Sequence, residues 1–426
     1  MLKRFSSIKL SRIKLGVIAL MVAAIVVGVT KLQFTSSYYH PPLPENTALA
    51  TSVYPQPVFI ENIQVRKNVV NLTTEEKTAF VNALKTLKNT FPEGSQISLY
   101  DQFVLQHVLT MGFRKKLGAE GFAEGNPAHS QPAFLPWHRQ FLWEFEQQLQ
   151  KIDPSVTIPY WDWTDPQALT IILDENFLGP NGTGETVEIP GFGPFTGGPV
   201  TSGFLADWTL NENIHFDPIN MTSLGSKLIR FVGLPPCEKY PISKTEVEQL
   251  MSFDNYEVFN AIIEGALVLK TGKYVPGWAL HAYAHSIIGG SLVDEIRPKD
   301  RVPHQTKILG TMDSIPSSPY DPIFWLNHAN VDRLWAEWQD NGHTGESFYP
   351  SAKMPAGHNL NDPMWPWDGG LSKPGDYGLG NIGSLLVNFQ GEKTVTPADV
   401  LNYRKLGYTY DTTVLNSFQH DNNTKL

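Results

Sequence analysis

The sequence predicts a mainly α-helical domain in which a few helices form the core and long loops wrap around them. Several stretches repeat apolar residues at helical spacing over three or more turns. Between them, Gly, Pro and Asn dominate 165–245 and 340–400, which is typical of loops with short irregular pieces. The chain has 426 residues, of which 41% are hydrophobic and 12% are aromatic, so it can bury a large helical core.

The individual helices are predicted from start signals and apolar faces. Thr73 and Glu76 form a capping-box pattern, after which Phe80, Leu84 and Leu87 share one helical face. The other predicted helices cover about 100–116, Pro136 to Ile152, the segment with His281 and His285, and about 322–339. Each of these four helices also carries at least one histidine.

The first 30 residues differ from the rest of the chain. Residues 1–14 contain five Lys or Arg and no acid, and Leu15–Thr30 is uncharged and mostly apolar. A basic stretch before an apolar run predicts export, with the folded domain outside the cytoplasm. The run of 16 residues is slightly short for a membrane span, and no small-residue cleavage site follows it closely. A cleaved signal peptide and an anchor that tethers the protein through residues 15–30 therefore both stay open.

The remaining chain is predicted to have three parts. Residues 31–60 are a Pro-rich linker, 61–412 form one catalytic-sized domain, and 413–426 are a polar tail. A net charge of −9 argues against nucleic acid as a partner. The single cysteine, Cys237, excludes an internal disulfide framework.

Six of the twelve histidines are candidates for metal binding. His281 and His285 stand four residues apart, so that on a helix they lie on one face and can meet on one ion. A lone histidine on an apolar face is more often a hydrogen-bonded core residue, and a pair at this spacing also arises by chance. The six fall into two groups, which are His107, His129 and His138, and His281, His285 and His328.

The chemistry of the pair favours copper over a hydrolytic zinc site. The zinc-hydrolase motif places a glutamate between its paired histidines as the base, but Ala282, Tyr283 and Ala284 stand between His281 and His285. Neutral imidazoles without thiolate or carboxylate ligands suit copper. Two sets of three histidines that face each other from pairs of helices would hold two copper ions.

Longer motifs around these histidines resemble those of a known family. NPAH (126–129) and PAFLPWHRQFLWEFE (132–146) resemble the first copper signature of the tyrosinase, catechol oxidase and haemocyanin superfamily, and DPIFWLNHANVDR (321–333) resembles the second. Similarity to bacterial tyrosinases also extends to VRKN (65–68), TIPYWDW (157–163) and RKLGYTYD (404–411). The resemblance spans about 63–412, which is most of the chain.

The resemblance implies a type-3 copper centre within a four-helix bundle. Such a centre uses two copper ions and O2 to oxidise a small phenolic substrate, converting a catechol to an o-quinone. Carried over by motif, the first copper takes His107, His129 and His138, and the second takes His281, His285 and His328.

The resemblance leaves other functions open. An o-aminophenol oxidase differs only in residues of the pocket. Haemocyanin-like reversible O2 binding uses the same six histidines beneath an extra shielding domain, and none is recognisable after Tyr410, which favours an enzyme. A separate copper-delivery protein is a further expected partner.

Two positions bear on which phenols are oxidised. Relatives that hydroxylate monophenols often carry Asn directly after the first histidine of the second site, and with a Glu it is thought to orient a water that deprotonates the phenol. Here Ala282 occupies that place, and Glu264 is the candidate Glu, although it also fits a solvated or capping acid. An alanine side chain neither donates nor accepts a hydrogen bond. We therefore expect diphenol oxidation to exceed monophenol hydroxylation.

Further residues are assigned by the same resemblance. Phe324 is similar to the phenylalanine that packs over the site, and Ile315 falls where relatives often have a residue that guards the second copper. Asn327 replaces a histidine that is usual in the family, and we expect it to change a hydrogen bond behind the ligands. The segment around Tyr410 is expected to pack against Arg66.

Overall fold

The computed structural model describes residues 63–113, 125–268, 274–275, 277–294, 304–375, 381–387 and 393–413. The predicted signal or anchor at 1–30, the linker at 31–60 and all but the first residue of the tail at 413–426 lie outside the described residues. No helix within the described ranges combines the length and the apolar character needed to cross a membrane.

Helices are the main regular secondary structure in the described part of the chain, as the sequence predicts. In chain order they are α1 (Thr74–Asn89), α2 (Leu99–Thr110), α3 (Phe134–Ile152), α4 (Ala168–Ile172), α5 (Lys244–Met251), α6 (Tyr256–Glu264), α7 (Leu280–Gly289), α8 (Ile323–Asp340) and α9 (Pro397–Val400). Helix α8 packs on α3 and α7, and α1 packs on α2 and α3. Helices α2, α3, α7 and α8 carry all the candidate histidines except His129, while the four-helix bundle itself stays an interpretation from the resemblance.

The predicted helix starts are close to those observed. The Thr73 hydroxyl accepts a hydrogen bond from the Glu76 N–H, and the Glu76 carboxylate accepts one from the Thr73 N–H at 2.9 Å, so the capping box before α1 is confirmed. Helix α3 begins at Phe134 and places Pro136 in its first turn, where a missing N–H costs nothing. Helices α5 and α6 were not predicted, and α6 supplies Glu264.

The predicted end of α2 near residue 116 is wrong. The helix ends at Thr110, and Met111 and Gly112 form a turn. The Gly112 carbonyl accepts a hydrogen bond from the Gly375 N–H at 2.9 Å, and a Cβ on Gly112 would lie 2.5 Å from the Gly375 carbonyl oxygen. This close approach of a distant segment needs a turn without a side chain, and local periodicity gives no sign of it.

Short strands lie between the helices. They are β1 (Gln64–Arg66), β2 (Glu185–Ile189), β3 (Gly193–Pro199), β4 (Phe216–Asp217), β5 (Thr222–Ser223), β6 (Ile229–Arg230), β7 (Leu267–Val268), β8 (Tyr274–Val275), β9 (Ser291–Val293), β10 (Gln305–Ile308) and β11 (Tyr408–Tyr410). Strands β2, β3 and β6 form an antiparallel sheet, and β4 with β5, β7 with β8 and β9 with β10 form antiparallel pairs. Strand β1 pairs in parallel with β11 and so joins the two ends of the described domain.

Arg66 fastens this junction to the helical core. Its Nη1 donates to the Tyr410 hydroxyl at 3.0 Å, and its guanidinium lies 3.6 Å from the centre of the Tyr408 ring, so the predicted packing is confirmed. The Asp332 carboxylate of α8 accepts from Arg66 at 3.2 Å and from Arg139 of α3 at 2.5 Å. All of these side chains are buried.

Aromatic packing fixes the helices that carry the candidate histidines. Trp325 of α8 stacks on Phe145 of α3 with ring centroids 3.5 Å apart and planes 2° apart. The Trp325 Nε1 donates to the hydroxyl of Tyr100 on α2 at 3.0 Å. Three helices are therefore locked at one point of a fully buried core, which leaves their histidines little freedom to shift.

Candidate metal centre

The second group of histidines converges on one point. The Nε2 of His281 lies 2.9 Å from that of His285 and 3.0 Å from that of His328. The Nδ1 of His281 contacts the Glu264 carbonyl oxygen at 2.8 Å, and the Nδ1 of His285 contacts the Met312 carbonyl oxygen at 2.7 Å. Because a carbonyl only accepts, these two rings carry their proton on Nδ1 and leave Nε2 free to bind a metal.

The first group is arranged in the same way. The Nδ1 atoms of His107 and His138 contact the carbonyl oxygens of Pro316 and Phe134, both at 2.8 Å. Their Nε2 atoms are buried without a hydrogen-bond partner. His129 belongs to a loop, and its ring completes a group whose ligand atoms lie within 4.8 Å of one another.

The two triads are neighbours in space. The rings of His138 and His328 stack with centroids 4.2 Å apart and planes 14° apart. The fully buried Phe324 packs against both triads, with its ring centroid 4.1 Å from that of His328 and 5.2 Å from that of His107. Phe324 therefore packs against the candidate site, as the resemblance implies.

Burial keeps these imidazoles neutral. Loss of water contact lowers the pKa of His107 to about 3 and that of His285 to about 4. The pKa values of the other four histidines are also lowered well below their usual range by burial first and by their neighbouring histidines second. Neutral rings with unpartnered nitrogens, and no carboxylate or thiolate within either triad, fit a pair of copper ions.

A cleft of about 700 Å³ opens onto the two triads. It is lined by one histidine from each triad, His129 and His281, and by the predicted residues Glu264, Ala282 and Ile315. The structure thus brings together three residues that are distant in the sequence. The fourth, Phe324, is not among the residues that line the cleft.

Glu264 ends α6 at the wall of this cleft. Its Oε1 accepts a hydrogen bond from the Ser130 N–H at 2.6 Å. Burial raises the pKa of the Glu264 carboxyl to about 8, although the Ser130 N–H works in the opposite direction. The half-buried Glu264 side chain is therefore bonded to a main-chain N–H across the cleft and does not cap its own helix.

Asn327 and several main-chain groups form the surroundings of the ligands. The Asn327 Oδ1 accepts from the buried Trp163 Nε1 at 2.8 Å. The carbonyl groups of Met312 and Pro316, which contact His285 and His107, belong to the segment before α8. Sequence reasoning missed them because every residue has a carbonyl, so no residue type marks this role.

Comparison with known proteins places this site in a family. The chain matches the model of the common central domain of tyrosinase over residues 97–341. The chain belongs to the tyrosinase family. The resemblance drawn from the copper signatures is thereby confirmed.

Individual relatives in the tyrosinase family agree with this assignment. Tyrosinase from Streptomyces glaucescens is 33% identical over 310 residues, which cover 71% of this chain and 92% of the relative. Grixazone synthase from Streptomyces griseus is 30% identical over 382 residues, which cover 82% of this chain and 99% of the relative. A polyphenol oxidase variant from Thermothelomyces thermophila shares the fold with a TM-score of 0.51 at 21% identity, covering 82% of this chain and 88% of that chain.

Membership of the tyrosinase family makes this protein a type-3 copper phenol oxidase with O2 as co-substrate. The two buried histidine triads are consistent with the dicopper centre of that family. The predicted copper cofactors and enzyme class are therefore confirmed, whereas the preferred phenol is a separate question.

Proposed function

We propose that this protein oxidises catechols to o-quinones and hydroxylates monophenols only weakly. The observation that carries the proposal is Ala282, which lines the cleft beside Glu264 and His281 without an amide side chain. Hydroxylation of a monophenol is expected to need a water held by such an amide. A catechol already carries both oxygens of the quinone, so its oxidation needs no hydroxylation step.

The asparagines elsewhere in the cleft are occupied by other contacts. The Asn126 Oδ1 accepts from the main-chain N–H groups of Ala128 and His129 at 2.9 and 3.1 Å. The Asn260 Nδ2 donates to the Gln131 carbonyl oxygen at 3.2 Å. Both amides are thus already engaged by other protein groups, which supports the expected bias against monophenols.

Copper binding is proposed to follow the two triads. We assign the first copper to His107, His129 and His138, and the second copper to His281, His285 and His328. When bound, this copper pair supplies the binding and the reduction of O2. Main-chain carbonyls hold the rings of His107, His138, His281 and His285 in the tautomer that offers Nε2, and the buried aromatic surroundings keep water away from the ligands.

The cleft orients the phenol. Its lining includes Ile315, Pro132 and Met354, which offer apolar surface to an aromatic ring near His129 and His281. Each catechol loses two electrons and two protons, so two catechols reduce one O2 to two waters. The volume of about 700 Å³ leaves room for substituents on the ring.

Oxygen uptake by the copper-loaded protein tests the proposal. Catechol, the matching monophenol and o-aminophenol are compared at equal concentration. Rapid uptake with catechol and a slow, long-lagged response to the monophenol support it. Equally rapid monophenol hydroxylation contradicts it, and faster uptake with o-aminophenol than with catechol assigns the protein to the alternative oxidase. No uptake with two coppers bound would contradict any oxidase function.

Export and copper delivery are proposed from the sequence. The basic residues 1–14 and the apolar residues 15–30 support export, with either cleavage or a membrane tether. Cell fractionation with N-terminal sequencing separates a released, shortened chain from a full-length membrane-bound one, and a cytoplasmic location contradicts both. Loading the purified chain with copper alone tests the delivery partner, because full loading makes such a partner unnecessary.

A further inference from the structure

Glu264 accepts hydrogen bonds from two segments outside its own helix, and these segments belong to opposite halves of the site. Its main-chain oxygen accepts from the Nδ1 of His281 in the second triad at 2.8 Å. Its Oε1 accepts from the main-chain N–H of Ser130 at 2.6 Å, and Ser130 follows His129 of the first triad. One residue therefore touches the chain segments that position a histidine on each side of the centre.

The loop that carries His129 depends on such hydrogen bonds. His129 is the one member of the two triads that lies in a loop, so no helix fixes its direction. The Asn126 Oδ1 accepts from the His129 N–H at 3.1 Å, and the Glu264 Oε1 accepts from the next N–H, that of Ser130. Ser130 has φ 57°, a left-handed conformation that a side chain disfavours and that the fold must stabilise.

The position of Glu264 in its own helix also indicates that its side chain serves the contact with Ser130. It is the last residue of α6, where the negative end of the helix dipole would disfavour an ionised side chain. The residue therefore gains nothing from its own helix. Its stabilising contact is the one across the cleft to the Ser130 N–H.

We propose that Glu264 is a positioning residue that links the two copper sites. Its side-chain Oε1 fixes the loop that presents His129 to the first copper, and its main-chain oxygen sets the tautomer of His281 for the second. The proposal rests on the ligand assignment given above. It predicts that the side chain of Glu264 matters to the first copper only, because any residue at 264 keeps the main-chain oxygen.

Half-site variants of the full chain test this separation. His285→Ala keeps the first triad intact, and His138→Ala keeps the second. In each background, Glu264→Ala and Glu264→Gln are added, and the copper dissociation constant is measured by chelator competition, with the Cu(II) EPR spectrum as a second readout. Glu264→Gln is the matched control, because its amide oxygen can still accept from Ser130.

We expect Glu264→Ala to weaken copper binding about tenfold to hundredfold in the His285→Ala background, and to alter the EPR spectrum there. In the His138→Ala background the change should stay below about twofold, and Glu264→Gln should stay within about threefold in both. Equal losses in the two backgrounds, no loss in either, or a loss with Glu264→Gln as large as with Glu264→Ala overturns the proposal.

Failure of the ligand assignment and misfolding of a variant can both be distinguished from failure of the Glu264 proposal. If the half-site parents bind no copper or still bind two, the ligand assignment itself fails. If Glu264→Ala does not fold, Glu264→Leu replaces it, because leucine fills a similar volume without an acceptor, and the same expected results apply.

Discussion

The Nε2 atoms of His281 and His285 lie 2.9 Å apart on one face of α7. Both rings are held from behind by main-chain carbonyls, at Glu264 and Met312. The pair is thus directed at a single point. With His328 it makes a three-nitrogen site, which accounts for two histidines within an otherwise apolar helix.

Removal of one ligand should empty one copper site. His285→Ala is expected to lower bound copper from two ions to one per chain and to reduce catechol oxidation more than about hundredfold, because two nitrogens cannot replace the triad. Metal analysis and oxygen uptake measure both effects. His304→Ala, whose side chain is 76% exposed, is the control and should leave both values unchanged. Retention of two coppers by His285→Ala would exclude it as a ligand.

An amide at residue 282 should shift the substrate preference. Ala282→Asn is expected to raise the ratio of the monophenol rate to the catechol rate about tenfold or more, because the new amide can hold a water beside Glu264. Steady-state oxygen uptake with both substrates measures this ratio. Ala282→Leu has nearly the same shape as Asn but no polar atoms, so an equal rise with Leu would show that bulk, not the amide, is responsible.

Phe324 should matter for both stability and copper retention. Phe324→Ala leaves a cavity against His328 and His107 and is expected to lower the free energy of unfolding by about 3–5 kcal/mol. Urea unfolding and the rate of copper loss to a chelator measure the two effects. Phe192→Ala is the control, since that side chain is 53% exposed, and it should change stability by less than about 0.5 kcal/mol. The prediction is contradicted if Phe324→Ala loses copper faster but unfolds at the same free energy, or if neither quantity changes.

Acid should weaken the junction at Asp332. Burial raises the pKa of Asp332, but Arg139 and Arg66 lower it further, so the pKa in the folded protein lies below that in the unfolded chain. A depressed pKa gives stabilisation that is fully present above about pH 4 and is lost as the pH falls through the folded value. We expect Asp332→Asn to cost about 3–5 kcal/mol at pH 7 and less at pH 3.

Urea unfolding at pH 7, 5 and 3 measures this difference between wild type and Asp332→Asn. Asp294→Asn is the control, because its side chain is 56% exposed and its removal should have little effect at any pH. A penalty for Asp332→Asn that is the same at pH 7 and pH 3 would show that the charge of Asp332 is not its source.

The helices could be predicted because their signals are local. The capping box at Thr73, the proline in the first turn of α3 and the apolar faces are all read within a few residues. The same locality explains why the end of α2 was misplaced. Just beyond that end, Gly112 is in close contact with Gly375 from far along the chain, and no local pattern records that contact.

The sequence by itself determined the chemistry of this protein, because histidine spacing and long copper signatures restrict the ligand type to neutral imidazole. The tertiary structure alone decided how those imidazoles are held. His129 is directed by a loop whose N–H groups bond to Asn126 and Glu264, and the other rings are fixed largely by main-chain carbonyls. Main-chain atoms are the same in every residue, so only folding selects which of them meet a ligand.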